Sequence, residues 1–238
     1  MDPLPLETLR KTLEIYKGLV EVSCLINSIT DYHTLLREIL SVAQRVIQTE
    51  AASLFLLDEA SADLRLAIAT RADGGFDEPD ITVPKGKGIV GWVMERNESL
   101  LIPDAYKDER FYAAADKKTG FITRSILCAP LRCEGKNIGV LQVLNPLNKP
   151  AFEDIDLEGF SAYANLTATA IDKLRSLEIQ REQDRVQRDL AIAADIQCVL
   201  LSGAIPASLC GVRFTAHSSP ATEVGGDFYG VFCKGEDV

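Results

Sequence analysis

The chain has 238 residues, of which 47% are hydrophobic and 25% charged, a balance typical of water-soluble globular proteins. Its formal net charge of −10 argues against a nucleic-acid-binding or anionic-membrane-binding surface, because both need clustered Lys and Arg. No apolar run approaches the roughly 20 residues that span a bilayer, and the first residues carry no signal-peptide pattern, so we predict a cytoplasmic protein.

The cysteine and histidine residues form no pattern typical of a metal site or a disulfide framework. Six cysteines are scattered without a Cys-x-x-Cys spacing, and most lie in apolar contexts. The two histidines, His33 and His217, stand in unrelated contexts, so we expect no zinc site. Redox sensing through Cys128 and Cys133 is an open alternative, and it requires an exposed thiol with a lowered pKa.

Residues 1–30 predict a dimerisation helix with two apolar faces. One face repeats at alternating intervals of three and four residues, which is the pattern of a coiled coil. We predict a homodimer whose contact on this face consists of Leu6, Leu9, Leu13, Tyr16 and Val20. The second face, available to pack on the chain's own domain, consists of Leu19, Val22, Ile26 and Ile29. The alternative is a helix that only covers a sheet.

Residues 31–172 predict a single α+β domain. Asp31 caps a helix over 31–48 that carries apolar residues at helical spacing. The period then changes to that of strands, at 51–58, 64–69, 81–83, 100–103, 125–131 and 138–145. Glycines within 86–91 open a helix where the backbone approaches another group, and a long helix begins near Phe152. This order indicates an antiparallel sheet flanked by helices.

The long helix continues through residues 173–200, which we predict to be a linker. No Gly or Pro interrupts 171–200, and the stretch 178–189 is mostly charged, with only Ile179 and Val186 apolar. A solvated helix is the simple interpretation of such a run. The alternative hypothesis is a helix pair in a dimer, with two arrangements that a bound ligand favours unequally.

Residues 201–238 contain the motif Val224-Gly225-Gly226-Asp227-Phe228-Tyr229. With the helical stretch 190–197, this motif resembles the entry into a PPM-family serine/threonine phosphatase domain of the SpoIIE-like bacterial type, as a truncated α/β start. The resemblance implies Asp227 as a ligand of a binuclear Mn²⁺ or Mg²⁺ site, although Gly230 stands where the family usually has a second aspartate. Because the remaining metal carboxylates are absent, we predict no catalysis by this chain. A Gly-Gly strand turn is the alternative.

The central domain resembles a GAF domain over residues 20–172. Three blocks carry the resemblance: 53–58, 86–91 and 102–128. The last block resembles the ligand lid of the cyclic-nucleotide-binding GAF domains of mammalian phosphodiesterases and cyanobacterial adenylyl cyclases. The resemblance implies a GAF fold between long N- and C-terminal signalling helices, with cAMP or cGMP as a regulatory ligand.

The same resemblance implies which positions line the ligand pocket. They are Ser53, Asp73, Ile89, Val90, Tyr112, Asp116, Thr119, Thr123 and Gln142. Backbone amides at a helix start can receive the cyclic phosphate, and threonine hydroxyls can donate to phosphate or base. Ser53 and Gln142 can read the base edge, while Asp73 contributes its backbone amide because its carboxylate would repel the phosphate. Ordinary strand, turn and packing roles are the alternative for each residue.

A support motif behind the lid is only partly present. In the family it runs Asn-Lys, a spacer, then Phe-x-x-x-Asp-Glu, and its Lys–Asp pair holds the lid from behind. This chain keeps Asn145, Phe152 and Asp156, whereas Pro146 stands in place of the lysine. Lys149 is a candidate substitute for that lysine.

These interpretations together predict a dimeric signal-transduction protein. A GAF domain binds a small ligand, with a cyclic nucleotide as the main candidate, and regulates a metal-dependent serine/threonine phosphatase domain through the helical linker. The resemblance implies a phosphoprotein of the anti-anti-sigma type as substrate. The alternatives are another small ligand, or a non-catalytic ligand-binding and dimerisation module.

Overall fold

The computed structural model describes residues 31–70, 74–78, 80–112, 116 and 120–202. It also describes the isolated positions 17, 18, 20, 21, 23, 24, 29, 208, 209, 212, 213, 215, 217 and 223–225. The chain divides into two units, Met1–Arg175 and Ser176–Val238. Among the described residues, no helix combines the length and apolarity needed to cross a bilayer.

The first unit alternates short helices with the strands of one sheet. The helices are α1 (Tyr32–Ile47), α2 (Gly88–Arg96) and α3 (Asp154–Ser202), the last of which continues into the second unit. The strands are β1 (Thr49–Leu57), β2 (Leu64–Thr70), β3 (Phe76–Asp77), β4 (Thr82–Val83), β5 (Leu100–Ile102), β6 (Ile126–Cys133) and β7 (Lys136–Pro146). A 3₁₀ turn spans Ala105–Lys107. The second unit holds the small hairpin of β8 (Ser208–Leu209) and β9 (Val212–Arg213).

The sheet is antiparallel throughout, with strand order β3-β2-β1-β7-β6-β5 and with β4 also paired to β2. Strands β1 and β7, far apart in sequence, lie side by side at its centre, and Ser53 stands opposite Gln142. Strand β7 also pairs with β6 across the tight turn at Glu134 and Gly135. The prediction of an α+β fold with an antiparallel sheet and flanking helices is confirmed.

Each face of the sheet has its own hydrophobic core. On one face, α1 and the first part of α3 pack against residues such as Leu54, Leu127 and Leu141. On the other face, α2 packs against residues such as Phe55 and Val140. Successive strand residues point to opposite faces, so this division follows from the alternation in β1 and β7. The α2 face also carries the polar side chains described below.

The predicted N-terminal cap of α1 is present. Asp31 has extended backbone, and its carboxylate accepts a hydrogen bond of 2.7 Å from the backbone N–H of Thr34. This bond satisfies one of the amides that lack a partner within the helix. The hydrogen bonds from Thr34 hold the pKa of Asp31 below its usual value.

The described residues between 17 and 24 are helical and approach α1 closely. A Cβ atom on Gly18 would lie 2.4 Å from a methyl group of Val46, so only glycine permits this contact. Glu21 forms an ion pair with Arg45, which also lies on α1. Val20 of the predicted dimer face is 61% exposed, whereas Leu6, Leu9, Leu13 and Tyr16 lie outside the described residues.

Candidate ligand-binding site

A row of polar side chains crosses the centre of the sheet on the α2 face. Ser53 on β1 stands opposite Gln142 on β7, and Gln142 stands opposite Cys128 on β6. Residues paired in this way point to the same face of an antiparallel sheet. The Ser53 hydroxyl donates a hydrogen bond of 3.2 Å to Gln142 Oε1. The structure thus brings together the two residues predicted to read a base edge.

Cys128 lies beside Gln142 at the end of this row, a position that the sequence did not predict. Its thiol is fully buried, and burial raises its pKa far above the usual value. Cys133 is also buried, and burial together with nearby Asp172 raises its pKa as well. The redox alternative required an exposed thiol with a lowered pKa, and neither cysteine meets that condition.

The N-terminus of α2 lies on the same face of the sheet. Gly88, its first residue, has φ +65°, and the cap residue Lys87 makes no side-chain capping bond. The side chains of Ile89 and Val90 are buried among the apolar residues of that face. Their contribution to a ligand is therefore limited to backbone N–H groups, and the first amides of a helix favour anionic ligands.

Asp116 and Thr123 form a clamp across the segment that precedes β6. The Thr123 backbone N–H and hydroxyl donate to the Asp116 carboxylate at 2.7 and 2.8 Å. The Tyr106 hydroxyl donates to the same carboxylate at 2.9 Å, and this bond raises the pKa of the Tyr106 phenol. Asp116 and Thr123 are both buried. Their mutual hydrogen bonds hold the segment before β6 in place.

The other predicted pocket residues do not join this arrangement. The Tyr112 side chain is 75% exposed. Asp73 and Thr119 lie outside the described residues. The described part of the candidate site therefore consists of the polar row, the start of α2 and the Asp116–Thr123 clamp.

Asn145, the next-to-last residue of β7, fixes the segment 122–125 through hydrogen bonds from its side-chain amide. Its Oδ1 accepts hydrogen bonds from the backbone N–H groups of Arg124 and Ser125 at 2.7 and 3.2 Å. Its Nδ2 donates to the Ile122 carbonyl at 2.8 Å and to the Glu50 carboxylate at 2.7 Å. All the hydrogen-bonding capacity of a buried amide is used here.

Glu50 links the Asn145 amide to the Arg124 side chain of the same segment. Its carboxylate accepts a hydrogen bond from Arg124 at 2.7 Å in addition to the bond from Asn145. Burial opposes ionisation of Glu50, but the hydrogen bonds from Arg124 and Asn145 outweigh it and hold its pKa below the usual value.

The remaining support residues surround the start of α3. Asp156, which is 2% exposed, forms an ion pair with Lys149, and its Oδ2 also accepts the backbone N–H of Glu153 at 2.9 Å. Lys149 thus occupies the role expected of the motif lysine, while Pro146 pairs with Thr49 at the end of the sheet. Phe152 is buried in the core under α1 and α3.

An arginine and the single tryptophan mark the edge of α2. The Arg110 guanidinium lies over the Trp92 ring, 4.7 Å from its centroid. Its Nε and Nη2 both donate to Asp108, at 2.9 and 2.6 Å. This bidentate bond raises the pKa of Arg110 and lowers that of Asp108, so the stacked arginine stays charged.

In the described part of the second unit, a pair of hydrogen bonds joins α3 to the C-terminal motif. The Gln197 side chain donates to the Gly225 carbonyl at 2.6 Å and accepts the Gly225 N–H at 2.8 Å. Asp227, the predicted metal ligand, lies outside the described residues. Within the part of the chain that the structure describes, no group of three or more His, Cys, Asp or Glu could hold a metal ion. The described residues thus provide no Mn²⁺ or Mg²⁺ site.

The central domain matches a known protein family. The GAF domain family matches residues 31–171, which is more than half of the chain. The chain belongs to the GAF domain family.

Curated relatives are cyclic-nucleotide phosphodiesterases. The chain is 28% identical over 198 residues to the probable 3',5'-cyclic phosphodiesterase pde-5 of Caenorhabditis elegans, which covers 79% of this chain and 27% of that protein. It is 39% identical over 120 residues to the dual 3',5'-cyclic-AMP and -GMP phosphodiesterase 11 of Drosophila melanogaster, covering 48% of this chain and 8% of that protein. The chain therefore spans less than a third of the length of either relative.

Solved structures show the same fold. The GAF domain of a phosphoenolpyruvate-protein phosphotransferase from Coxiella burnetii superposes with a TM-score of 0.60 at 18% identity, covering 70% of this chain and 98% of that one. The free methionine-R-sulfoxide reductase of Neisseria meningitidis superposes with a TM-score of 0.55 at 19% identity, covering 68% and 91%. At these identities the likeness establishes the fold alone.

Proposed function

We propose that residues 31–172 are the sensor of a signal-transduction protein and bind a cyclic nucleotide, cAMP or cGMP. The observation that carries the proposal is the polar row of Ser53 and Gln142, on the sheet face that the N-terminus of α2 also covers. The row offers hydrogen bonds to a base edge, and the helix start offers amides to a phosphate. The similarity to cyclic-nucleotide phosphodiesterases supports this class of ligand.

The remaining predicted site residues divide into supporting residues and ligand contacts in this proposal. Asp116 and Thr123 hold the segment over the site, and Asn145, Phe152 and Asp156 hold that segment from behind. Tyr112, Asp73 and Thr119 are proposed to contact the ligand.

Calorimetric titration of the ligand-stripped chain with cAMP, and separately with cGMP, tests the proposal. We expect micromolar or tighter binding of one nucleotide, weakened about tenfold by Ser53→Ala and by Gln142→Ala, since each removes a hydrogen bond. Ser41→Ala on the exposed face of α1 is the matched control and should bind normally. Absence of heat with both nucleotides at several temperatures would contradict the proposal and favour the alternatives, another small ligand or a dimerisation module.

We also propose that the sensor acts as a homodimer, through the N-terminal helix and the linker part of α3. Support comes from exposed apolar side chains that are spaced by multiples of seven residues along the linker part of α3, as at one position of a heptad repeat. In the second unit these include Ile179, Val186 and Leu200, which are 52%, 48% and 62% exposed. An exposed apolar row of this kind is typical of a helix that pairs with a second copy.

For the output we propose a metal-dependent serine/threonine phosphatase domain of the PPM type, begun by residues 201–238, with Asp227 as a Mn²⁺ or Mg²⁺ ligand and a phosphoprotein of the anti-anti-sigma type as substrate. The bond pair between Gln197 and Gly225 supports a built contact between α3 and the Gly-Gly-Asp motif. Reading the coding sequence beyond Val238 tests this. Further Gly-Asp and Asp-Asp motifs are expected, and an immediate stop codon would contradict the proposal.

A further inference from the structure

Ser125 is a buried residue at the point where the clamped segment enters β6. It is 0% exposed, and its backbone N–H and carbonyl both bond to Asn145, at 3.2 and 2.9 Å. The preceding residue, Arg124, accepts the backbone N–H of Ala105 at 2.7 Å. Neither the sequence motifs nor the proposed ligand contacts give its side chain a role.

The Ser125 hydroxyl makes two hydrogen bonds that join distant elements. It donates to the Ile102 carbonyl at the end of β5, at 2.9 Å. It accepts the backbone N–H of Phe152, two residues before α3 begins, at 3.1 Å. A hydroxyl is the smallest side chain that donates and accepts at once, so alanine would leave a buried carbonyl and a buried N–H without this partner.

The contacts around Ser125 form a continuous chain from the candidate site to α3. Asp116 holds Thr123, which is two residues before Ser125 in the same segment. Ser125 then holds the backbone of Phe152, and the Phe152 ring is buried under α1 and α3. The Ser125 hydroxyl is thus a direct hydrogen-bonded link between the clamped segment and the backbone just before α3.

We propose that Ser125 is a positioning residue that couples the ligand-binding segment to the start of α3. The proposal rests on the proposed sensor function, because a bound ligand is what would move the clamp. Coupling in this sense means that the clamp and the helix start are stabilised together, with a free-energy link that the hydroxyl supplies.

Hydrogen exchange on the full chain tests the coupling without any ligand. Thr123→Ala removes one bond of the clamp and should speed amide exchange about fivefold at residues 120–124 and at 154–160, the factor that corresponds to about 1 kcal/mol. In a Ser125→Ala background the same change should speed exchange only at 120–124. Thr169→Ala, which removes an α3 hydroxyl bonded to the Asn165 carbonyl outside both regions, is the matched control and should preserve the coupling.

A second Ser125 variant and exchange measurements with added nucleotide test the coupling further. Ser125→Cys keeps the side-chain shape and fills the site with a larger sulfur that is a much weaker donor and acceptor, and it should behave as Ser125→Ala does even if the alanine variant folds poorly. Where cAMP or cGMP binds, the nucleotide should slow exchange at both regions in the natural chain and at 120–124 alone in the Ser125 variants. If neither nucleotide binds, the sensor proposal fails, while the Thr123→Ala comparison still tests the coupling. If Thr123→Ala speeds amide exchange at 154–160 equally with and without the Ser125 hydroxyl, the proposed coupling is overturned.

Discussion

Asn145 combines an unusual backbone with a fully used side chain. Its φ is +55°, the left-handed region that asparagine tolerates better than most residues, and Pro146 follows it. Four side-chain hydrogen bonds to residues from β1 and from the segment before β6 compensate for the strain. The motif asparagine thus acts by holding backbone, and it lies outside the polar row.

Substitution of Asn145 separates these two contributions. Asn145→Gly keeps the backbone conformation and removes the side-chain bonds, whereas Asn145→Ala also imposes about 1 kcal/mol of left-handed strain. We expect the alanine variant to be less stable than the glycine variant by about that amount, measured by urea unfolding. Equal stabilities would show that the left-handed backbone costs nothing here.

The ion pair of Glu50 and Arg124 predicts a pH dependence. The pKa of Glu50 is lowered in the folded protein, so protonation favours the unfolded chain. The stabilisation is fully present above the carboxyl's ordinary pKa and is lost as the pH falls through the lower, folded-state value. Glu50→Gln should therefore be less stable than the natural chain at pH 7. The gap between their free energies of unfolding should narrow between about pH 5 and pH 3. A gap that stays constant over this range would exclude ionisation of Glu50 as the cause.

At the scale of an element, α2 depends on close packing against the loop before it. A Cβ atom on Gly91 would lie 2.7 Å from the Pro84 carbonyl oxygen and 3.1 Å from the Gly86 nitrogen. Both neighbours are backbone atoms, which cannot move aside as a side chain would. The glycine-rich opening of this helix was predicted as a close approach, and the loop of residues 84–86 is what it approaches.

Gly91→Ala should therefore destabilise the protein despite the higher helix propensity of alanine. We expect a loss of about 2 kcal/mol from overpacking, measured as a shift of the urea midpoint. Arg96→Ala, an exposed change in the last turn of the same helix, should stay within about 0.5 kcal/mol of the natural chain. A stabilised Gly91→Ala variant would show that the loop can move away.

The elements were largely predictable from the sequence, because apolar periodicity changes clearly from helix to strand. Contacts that depend on register or on a turn were not. Cys128 reaches the polar row only because β6 pairs with β7 in one particular register. The clamp between Asp116 and Thr123 is equally invisible in sequence, since both residues have the chemistry of ligand contacts. Lys149 could be suggested as a substitute lysine, and the turn after β7 brings it to Asp156.

At the scale of the whole molecule, the proposed dimer predicts an effect of charge on the linker helix. Ile179→Glu with Val186→Glu places two carboxylates on the exposed apolar row and should weaken self-association at least tenfold, measured by sedimentation equilibrium. Arg181→Ala with Arg188→Ala changes the net charge by the same amount off that row. The control should associate normally, and equal weakening in both double variants would exclude the row as the contact.

The position of Trp92 gives this chain an optical reporter of its own. It is the single tryptophan in 238 residues, and the Arg110 guanidinium covers its ring beside the candidate site. Its emission therefore comes from one place in the molecule and responds to the distance of one cation. Any event that lifts Arg110 from the indole changes the fluorescence of the unlabelled protein, so the site can be observed in a stopped-flow instrument on the timescale of ligand arrival.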